Sequence, residues 1–379
     1  MKVLYITPGC FDKGGISRYS RYQIRALRDV LGEYSVRVIS LLGPDDKSFE
    51  SEINVDWHAN DNNYLSKILF SIQIAYQILF WRPDVVHAAH VNFSGLVWIL
   101  AKIAKAKTVL NIYGLEVWSG LSVDAKFGLK NVQYVISDCY FTASYVEGVS
   151  YRAKGSTSVI WDCVDHDQFF PGNPDFRVLE KYGIPDPNKN FNVMTLGRLS
   201  FAASHKGYER LIDAFAKVVS QHSKLYLVIA GDGDMKDTLQ ERVNGLGLQS
   251  RVIFTGLVED KHMADVYRSA TLFSLVSDRG LNRGEGIPLT PLEAMACGIP
   301  ILVGNQDGSQ EAVHQNSNGF VLDPLDINNI SKVISKFIKD KNLLKKQQQG
   351  AIHISKQNFS YDDFCEKHKI LYYSIMDIK

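Results

Sequence analysis

The chain has 379 residues, 45% of them hydrophobic and 22% charged, with 42 lysines and arginines against 41 aspartates and glutamates. That length suits two domains of roughly 150–200 residues, and the near-neutral balance excludes a global field that would recruit nucleic acid or an anionic membrane. Any phosphate binding must therefore be local. Cys10, Cys139, Cys163, Cys297 and Cys365 are scattered without a C-x-x-C pair. This argues against a disulfide framework or a zinc site, and for a reducing compartment, the cytoplasm.

The first strand is expected at Val3–Thr7, because Met1 to Cys10 has one lysine and too short an apolar run for a signal peptide. Gly14-Gly15 then opens a helix. Paired glycines let backbone approach a ligand, although a simple turn explains them equally well. Further strands are expected at Val36–Leu42, Val85–Ala88, Thr108–Ile112, Tyr134–Ser137 and Ser158–Trp161. Between them, Ile68 to Trp81 is interrupted by Ser71, Gln73 and Gln77, which speaks against a membrane-spanning helix. The aromatic amphipathic stretch Tyr64–Trp81 reads as a core helix, with peripheral membrane contact as the alternative. His87 and His90 follow a strand and read as structural or acceptor-side residues, since no accompanying ligand set supports a metal.

Two prolines and a glycine in Phe170-Pro-Gly-Asn-Pro-Asp mark the linker. A second strand series follows: Asn192–Leu196, Tyr226–Ala230, Val252–Thr255, Thr271–Leu275, Pro300–Val303 and Phe320–Leu322. Helical patterns such as Tyr208–Ser220 and Ala264–Ser269 lie between these runs. Near-continuous apolar runs suit parallel strands covered on both faces, so the class is α/β, doubly wound twice over. The expected domains are 1–169 and 170–358, facing a central cleft, with 359–379 packing back on the first.

In doubly wound sheets ligands bind beyond the carboxyl ends of strands. Gly197-Arg198 follows one such strand and Lys206-Gly207 opens the next helix. Arg198 offers a planar fork for phosphate oxygens and Lys206 a mobile charge, although either alone reads equally as a surface cation. Downstream, Glu285 and Glu293 lie eight residues apart in EGIPLTPLE. Thr290 is expected as N-cap, Pro291 as the first helical residue and Glu293 as the third, which is also a simple capping box. An extended loop running into a helix N-terminus suits an anion, with one carboxylate on either side to take hydroxyl groups. A sugar–diphosphate–sugar ligand satisfies that layout. A glycosidase pair would instead need both carboxyls facing one bond across ~5–10 Å.

Glu285–Pro300 resembles the E-x7-E signature of retaining "group one" glycosyltransferases, which have the GT-B fold of two Rossmann-like domains. Gly197-Arg198 with Lys206-Gly207, Gly14-Gly15, Val164-Asp165 before Phe170-Pro171, and Phe359-Ser-Tyr resemble that family too. The resemblance implies that Arg198 and Lys206 hold the diphosphate of a nucleotide-sugar, Glu293 the ribose and Glu285 the transferred sugar. Backbone along Gly286, Ile287, Pro288, Leu289 and Thr290 would follow the ligand, with Gly14 and Gly15 closing over it. It implies catalysis without a metal or other cofactor, through positioning and electrostatic stabilisation. The acceptor would be a glycan or lipid-linked, in surface polysaccharide or lipopolysaccharide assembly at the inner face of the membrane. His87, Tyr113 and Glu116 are its candidate acceptor-side residues. Where many members carry a histidine in a His-Gly-x-Asp/Glu context, this chain has Tyr113-Gly114-Leu115-Glu116. The rival readings are a nucleotide-sugar epimerase or phosphorylase, and a non-catalytic nucleotide-sugar-binding homologue.

Overall fold

The β-branched runs assemble into two all-parallel sheets, each flanked by helices. The computed structural model describes residues 1–12, 14–44, 53–59, 61–280, 283–314 and 316–377. Residues 281 and 282 of the loop before Glu285, and Ile378 and Lys379 at the end of the terminal segment, lie outside the described residues. The chain divides into two compact units, Met1–Cys163 with Tyr361–Lys379, and Val164–Ser360.

The N-terminal unit contains β1 (Val3–Thr7), β2 (Val36–Leu42), β3 (Trp57–Ala59), β4 (Val85–Ala88), β5 (Lys107–Ile112), β6 (Tyr134–Ser137) and β7 (Thr157–Val159), in the order 3-2-1-4-5-6-7. Two-residue periodicity sends Leu4 and Ile6 to one face and Val3 and Tyr5 to the other. The first face packs on Phe70, Ile74 and Val97, and the second on Tyr19, Ile24 and Leu27. Phe364 and Tyr372 of the terminal helix Tyr361–Asp377 complete the second core. The edge strand β3 is absent from the sequence expectation because it has three residues and no β-branched run. It pairs with β2 through a shifted register.

The C-terminal unit contains β8 (Phe191–Leu196), β9 (Leu225–Ala230), β10 (Val252–Gly256), β11 (Leu272–Leu275), β12 (Ile301–Gly304) and β13 (Gly319–Leu322), in the order 10-9-8-11-12-13. Strand order reverses between β8 and β11, which opens a crevice at their carboxyl ends. The unit begins at Val164, ahead of the expected boundary at Phe170. Val164 N–H donates to the Phe359 carbonyl at 2.9 Å, and the Phe169 ring sits edge-on to Tyr267 at 5.8 Å. The Arg268 guanidinium lies over the Phe170 ring at 4.2 Å and donates to the Phe170 carbonyl at 2.9 Å. The proline-rich segment is thus bound to the C-terminal unit, and residues 164–169 fold with it.

Candidate functional site

Three strand ends of the second sheet converge on Glu285. After β8 the chain passes Gly197-Arg198 and a short 3-10 segment, Phe201–Lys206, before the helix Tyr208–Val219. After β11 it runs through Asp278 to Glu285, and after β12 it turns at Asp307-Gly308. Gly207 is required between the first two loops. Its φ is +82° and a Cβ there would come within 2.4 Å of the Val276 carbonyl oxygen. Arg210 fastens the same junction, donating to the carbonyls of His205 and Val276 at 3.0 Å each and to Asp278 Oδ1 at 2.8 Å.

Glu285 Oε1 accepts from Lys206 Nζ at 2.6 Å and pairs with His205 Nε2 at 2.8 Å. Its backbone is clamped as well: Glu285 N–H donates to Asp307 Oδ2 at 3.0 Å, and Gly308 N–H donates to the Glu285 carbonyl at 2.9 Å. Burial alone would raise the Glu285 carboxyl. The Lys206 ammonium and the His205 hydrogen bond outweigh it and hold the group at about 2. Asp307 goes the other way: burial pushes it up to about 6, against hydrogen bonds from Ser309 and Ser277 that favour its charge. The site thus holds one firmly ionised carboxylate on a lysine, backed by a second carboxyl that ionises less readily.

The helix carrying Glu293 starts two residues earlier than the sequence suggests. It spans Leu289–Ala296 with Pro288 as N-cap and no side-chain cap. Thr290 and Pro291 therefore lie within the first turn, where a missing proline N–H costs nothing because those donors have no helical partner. The expected capping box is not formed. Glu293 lies one turn in, is almost fully buried, and Oε2 accepts from Tyr267 Oη at 2.7 Å. Tyr267→Phe is expected to lower stability by about 1.5–3 kcal/mol, as for hydrogen bonds to charged groups. A lower urea midpoint with unchanged slope checks this.

Arg198 is exposed and Lys206 is mostly enclosed beside Glu285. Ile287 and Pro288 are buried, while Gly286, Leu289 and Thr290 are partly accessible. The Thr290 hydroxyl oxygen and His205 Nδ1 are buried without a hydrogen-bond partner among the described residues. His205 and Asp307 are absent from the sequence expectation. His205 had one available signal, its position directly before Lys206-Gly207. Asp307 had none, because it reaches Glu285 only through the pairing of β11 with β12.

The candidate acceptor-side residues lie in the N-terminal unit, in a buried polar network. His87 Nε2–H donates to Asn111 Oδ1 at 2.8 Å, and its Nδ1 accepts from Tyr372 Oη at 2.5 Å. Asn111 Nδ2 donates to Gln23 Oε1 at 2.5 Å and to Tyr113 Oη at 2.9 Å, and Gln23 Nε2 donates to His368 Nε2 at 2.8 Å. His87 is fully closed off from solvent, so of its two sequence readings the structural one describes its position. The Tyr113 phenol is likewise tied inward. Glu116 Oε1 accepts the Tyr113 N–H at 2.6 Å and so closes the loop before its helix. Gly14 is the N-cap of Gly15–Leu31 at φ −67°, a conformation open to any residue, and its N–H donates to Asp12 Oδ1 at 2.6 Å. Among the described residues no group of three or more His, Cys, Asp or Glu side chains is placed to hold a metal ion.

Two doubly wound parallel-sheet units, with cations and a carboxylate at the switch point of the second, define the fold class of GT-B glycosyltransferases. Residues 182–353, most of the C-terminal unit, match the family described as glycosyl transferases group 1. The chain is 30% identical over 213 residues to mannosylfructose-phosphate synthase of Agrobacterium fabrum, covering 54% of this chain and 44% of that protein. It is 29% identical over 250 residues to the GDP-mannose-dependent alpha-(1-6)-phosphatidylinositol monomannoside mannosyltransferase of Mycolicibacterium smegmatis, covering 64% and 63%. The matches thus span less than two thirds of either relative's length. In fold it resembles Anabaena Alr3699/HepE, solved in complex with UDP, with TM-score 0.80 and 19% identity over 99% of this chain and 100% of that one.

Proposed function

We propose that the protein transfers a sugar from a nucleotide-sugar to a hydroxyl group of a glycan or lipid-linked acceptor, with retention at the anomeric carbon. In this reading the C1–O bond to the diphosphate breaks while a C1–O bond to the acceptor forms on the same face. The acceptor proton passes to a departing phosphate oxygen. Arg198 and Lys206 neutralise the charge that develops on the diphosphate, a role in which preorganised cations are worth most. One Lys206 N–H serves Glu285, leaving two for phosphate. Glu285 then orients hydroxyls of the transferred sugar, and Glu293, steadied by Tyr267, takes those of the ribose. Two side-chain cations suffice for the diphosphate in this scheme, so no metal is assigned a step.

The observation that carries this reading is the Lys206–Glu285–His205 cluster with Arg198 at the β8 strand end, inside the family-matched segment. The relatives support the donor class and leave its base open, since one is named for GDP-mannose and one fold neighbour was solved with UDP. The family and such relatives also favour a place in surface polysaccharide or glycolipid assembly.

Thermal shift against UDP, GDP, ADP and their sugar conjugates tests the donor site. A ligand at a hundred times its Kd should add about 2.7 kcal/mol to native stability. The shift should vanish in Arg198→Ala, and Glu285→Ala should weaken the nucleotide-sugar more than the bare nucleotide. A cognate shift that survives both changes overturns the assignment. Donor conversion without any acceptor would select the epimerase reading instead.

A further inference from the structure

Glu285 presents its two carboxylate oxygens unequally. Oε1 accepts from Lys206 Nζ at 2.6 Å and from His205 Nε2 at 2.8 Å, whereas Oε2 has no partner among the described residues. An ionised carboxylate only accepts, so both neighbours donate, and together they fill the lone-pair sites of one oxygen. The side chain keeps 18% of its surface, and Oε2 is the oxygen with lone pairs left to offer.

The main chain does not account for that asymmetry. Asp307 and Gly308 hold the Glu285 backbone, which leaves rotation of the side chain undecided. Lys206 alone would not decide it either. Its ammonium is a compact charge on a flexible stem, able to meet either oxygen or both. His205 differs in being rigid. Its carbonyl accepts from Asp278 N–H at 2.9 Å and from Arg210 at 3.0 Å, so a planar ring stands on a fixed backbone. The ring is buried, and its one side-chain hydrogen bond among the described residues goes to Glu285. Nδ1 is sealed in without a partner, which costs the fold and ties nothing together. What the ring contributes is the Nε2–H. With that donor fixed on Oε1, Lys206 completes the same oxygen and the carboxylate cannot turn.

Resting on the nucleotide-sugar reading above, we propose that His205 is a positioning residue for the donor sugar, holding Glu285 by Oε1 so that Oε2 alone receives hydroxyls of the transferred sugar. Sugar recognition then depends on a residue that does not touch the sugar. Without His205, Lys206 is free to bridge both oxygens and to close Oε2 against the ligand.

Isothermal titration calorimetry of the full chain with UDP, GDP and ADP, and with UDP-glucose, GDP-mannose and ADP-glucose, tests this. The readout is the factor by which the sugar changes the affinity for its own nucleotide. In His205→Leu that factor should fall about tenfold, the worth of one hydrogen bond to a charged group, while the bare nucleotide loses far less. His205→Gln places an amide N–H where Nε2 stood and should bring the factor back to within about threefold of wild type. His205→Asn, whose shorter amide reaches only the Nδ1 position, should not. Should His205→Leu fail to fold, Gln against Asn carries the same comparison. A ring that merely supports the loop would weaken nucleotide and nucleotide-sugar together and would not separate Gln from Asn. That result overturns the proposal, as does an unchanged sugar factor in His205→Leu, and either leaves the donor site standing. A wild-type chain that binds none of the six compounds overturns the donor reading itself, and the role of His205 with it.

Discussion

Under the proposed function, Lys206→Ala is expected to slow sugar transfer by about 10²–10³-fold, the usual cost of removing one preorganised donor from developing charge. Initial rates with the donor picked out by thermal shift would measure it, and a rate within threefold of wild type would remove Lys206 from the mechanism. A second readout separates this role from simple support of the fold. With the ammonium gone, burial of Glu285 is opposed by His205 alone, so its carboxyl rises from about 2 and the acid limb of the pH–rate profile moves up. Glu285→Gln keeps the shape and removes the charge. Because Lys206 and Glu285 act as a pair, the double variant should lose far less than the product of the single losses.

The second large effect is acid destabilisation of the N-terminal unit. Burial lowers His87 to about 3 and His368 to about 4, from an ordinary 6.5. Both rings are neutral in the folded chain and take up protons readily when it unfolds. Their penalty is absent above pH 6.5 and grows as pH falls from there towards the folded values. At pH 5 it amounts to about 2 kcal/mol for each histidine, at ~1.4 kcal/mol per pH unit. His368→Gln, which leaves a polar group facing Gln23 but no titrating ring, should lessen the loss in urea midpoint between pH 7.5 and pH 5. An equal loss in the variant would show that the network does not govern acid stability.

The C-terminal unit should respond differently. Asp307, raised to about 6 from 3.8, favours the folded state increasingly as pH falls across that interval. Glu285 contributes stability that is present above its ordinary 4.5 and is lost as pH falls towards about 2. At these groups the two units respond oppositely: the His87–His368 network loses stability as pH falls below 6.5, whereas Asp307 gains it.

Much of the fold was legible because parallel strands buried on both faces leave unbroken apolar runs. Val3–Thr7, Val36–Leu42, Val85–Ala88 and Tyr134–Ser137 have the boundaries that the residue pattern suggests. Edge strand β3 was not, since Trp57–Ala59 lacks such a run. The start of the Glu293 helix was misplaced for an instructive reason. Thr-Pro-x-Glu carries a strong local capping signal, yet Pro288 holds the N-cap position and tertiary contacts draw Glu293 onto Tyr267. His87 stood open between two readings because a histidine near the carboxyl end of a strand looks alike whether it faces solvent or a buried asparagine.

By itself the sequence determined the α/β class, its duplication along the chain, and the cations and carboxylate that sit at strand ends. These follow from local periodicity and from residue types a few positions apart. Tertiary structure alone decided that β8 adjoins β11, that His205 and Asp307 hold Glu285 from opposite loops, and that the terminal helix seals a histidine network in the first unit. Those outcomes depend on pairings between segments tens of residues apart, and no local pattern encodes which strand end will face which.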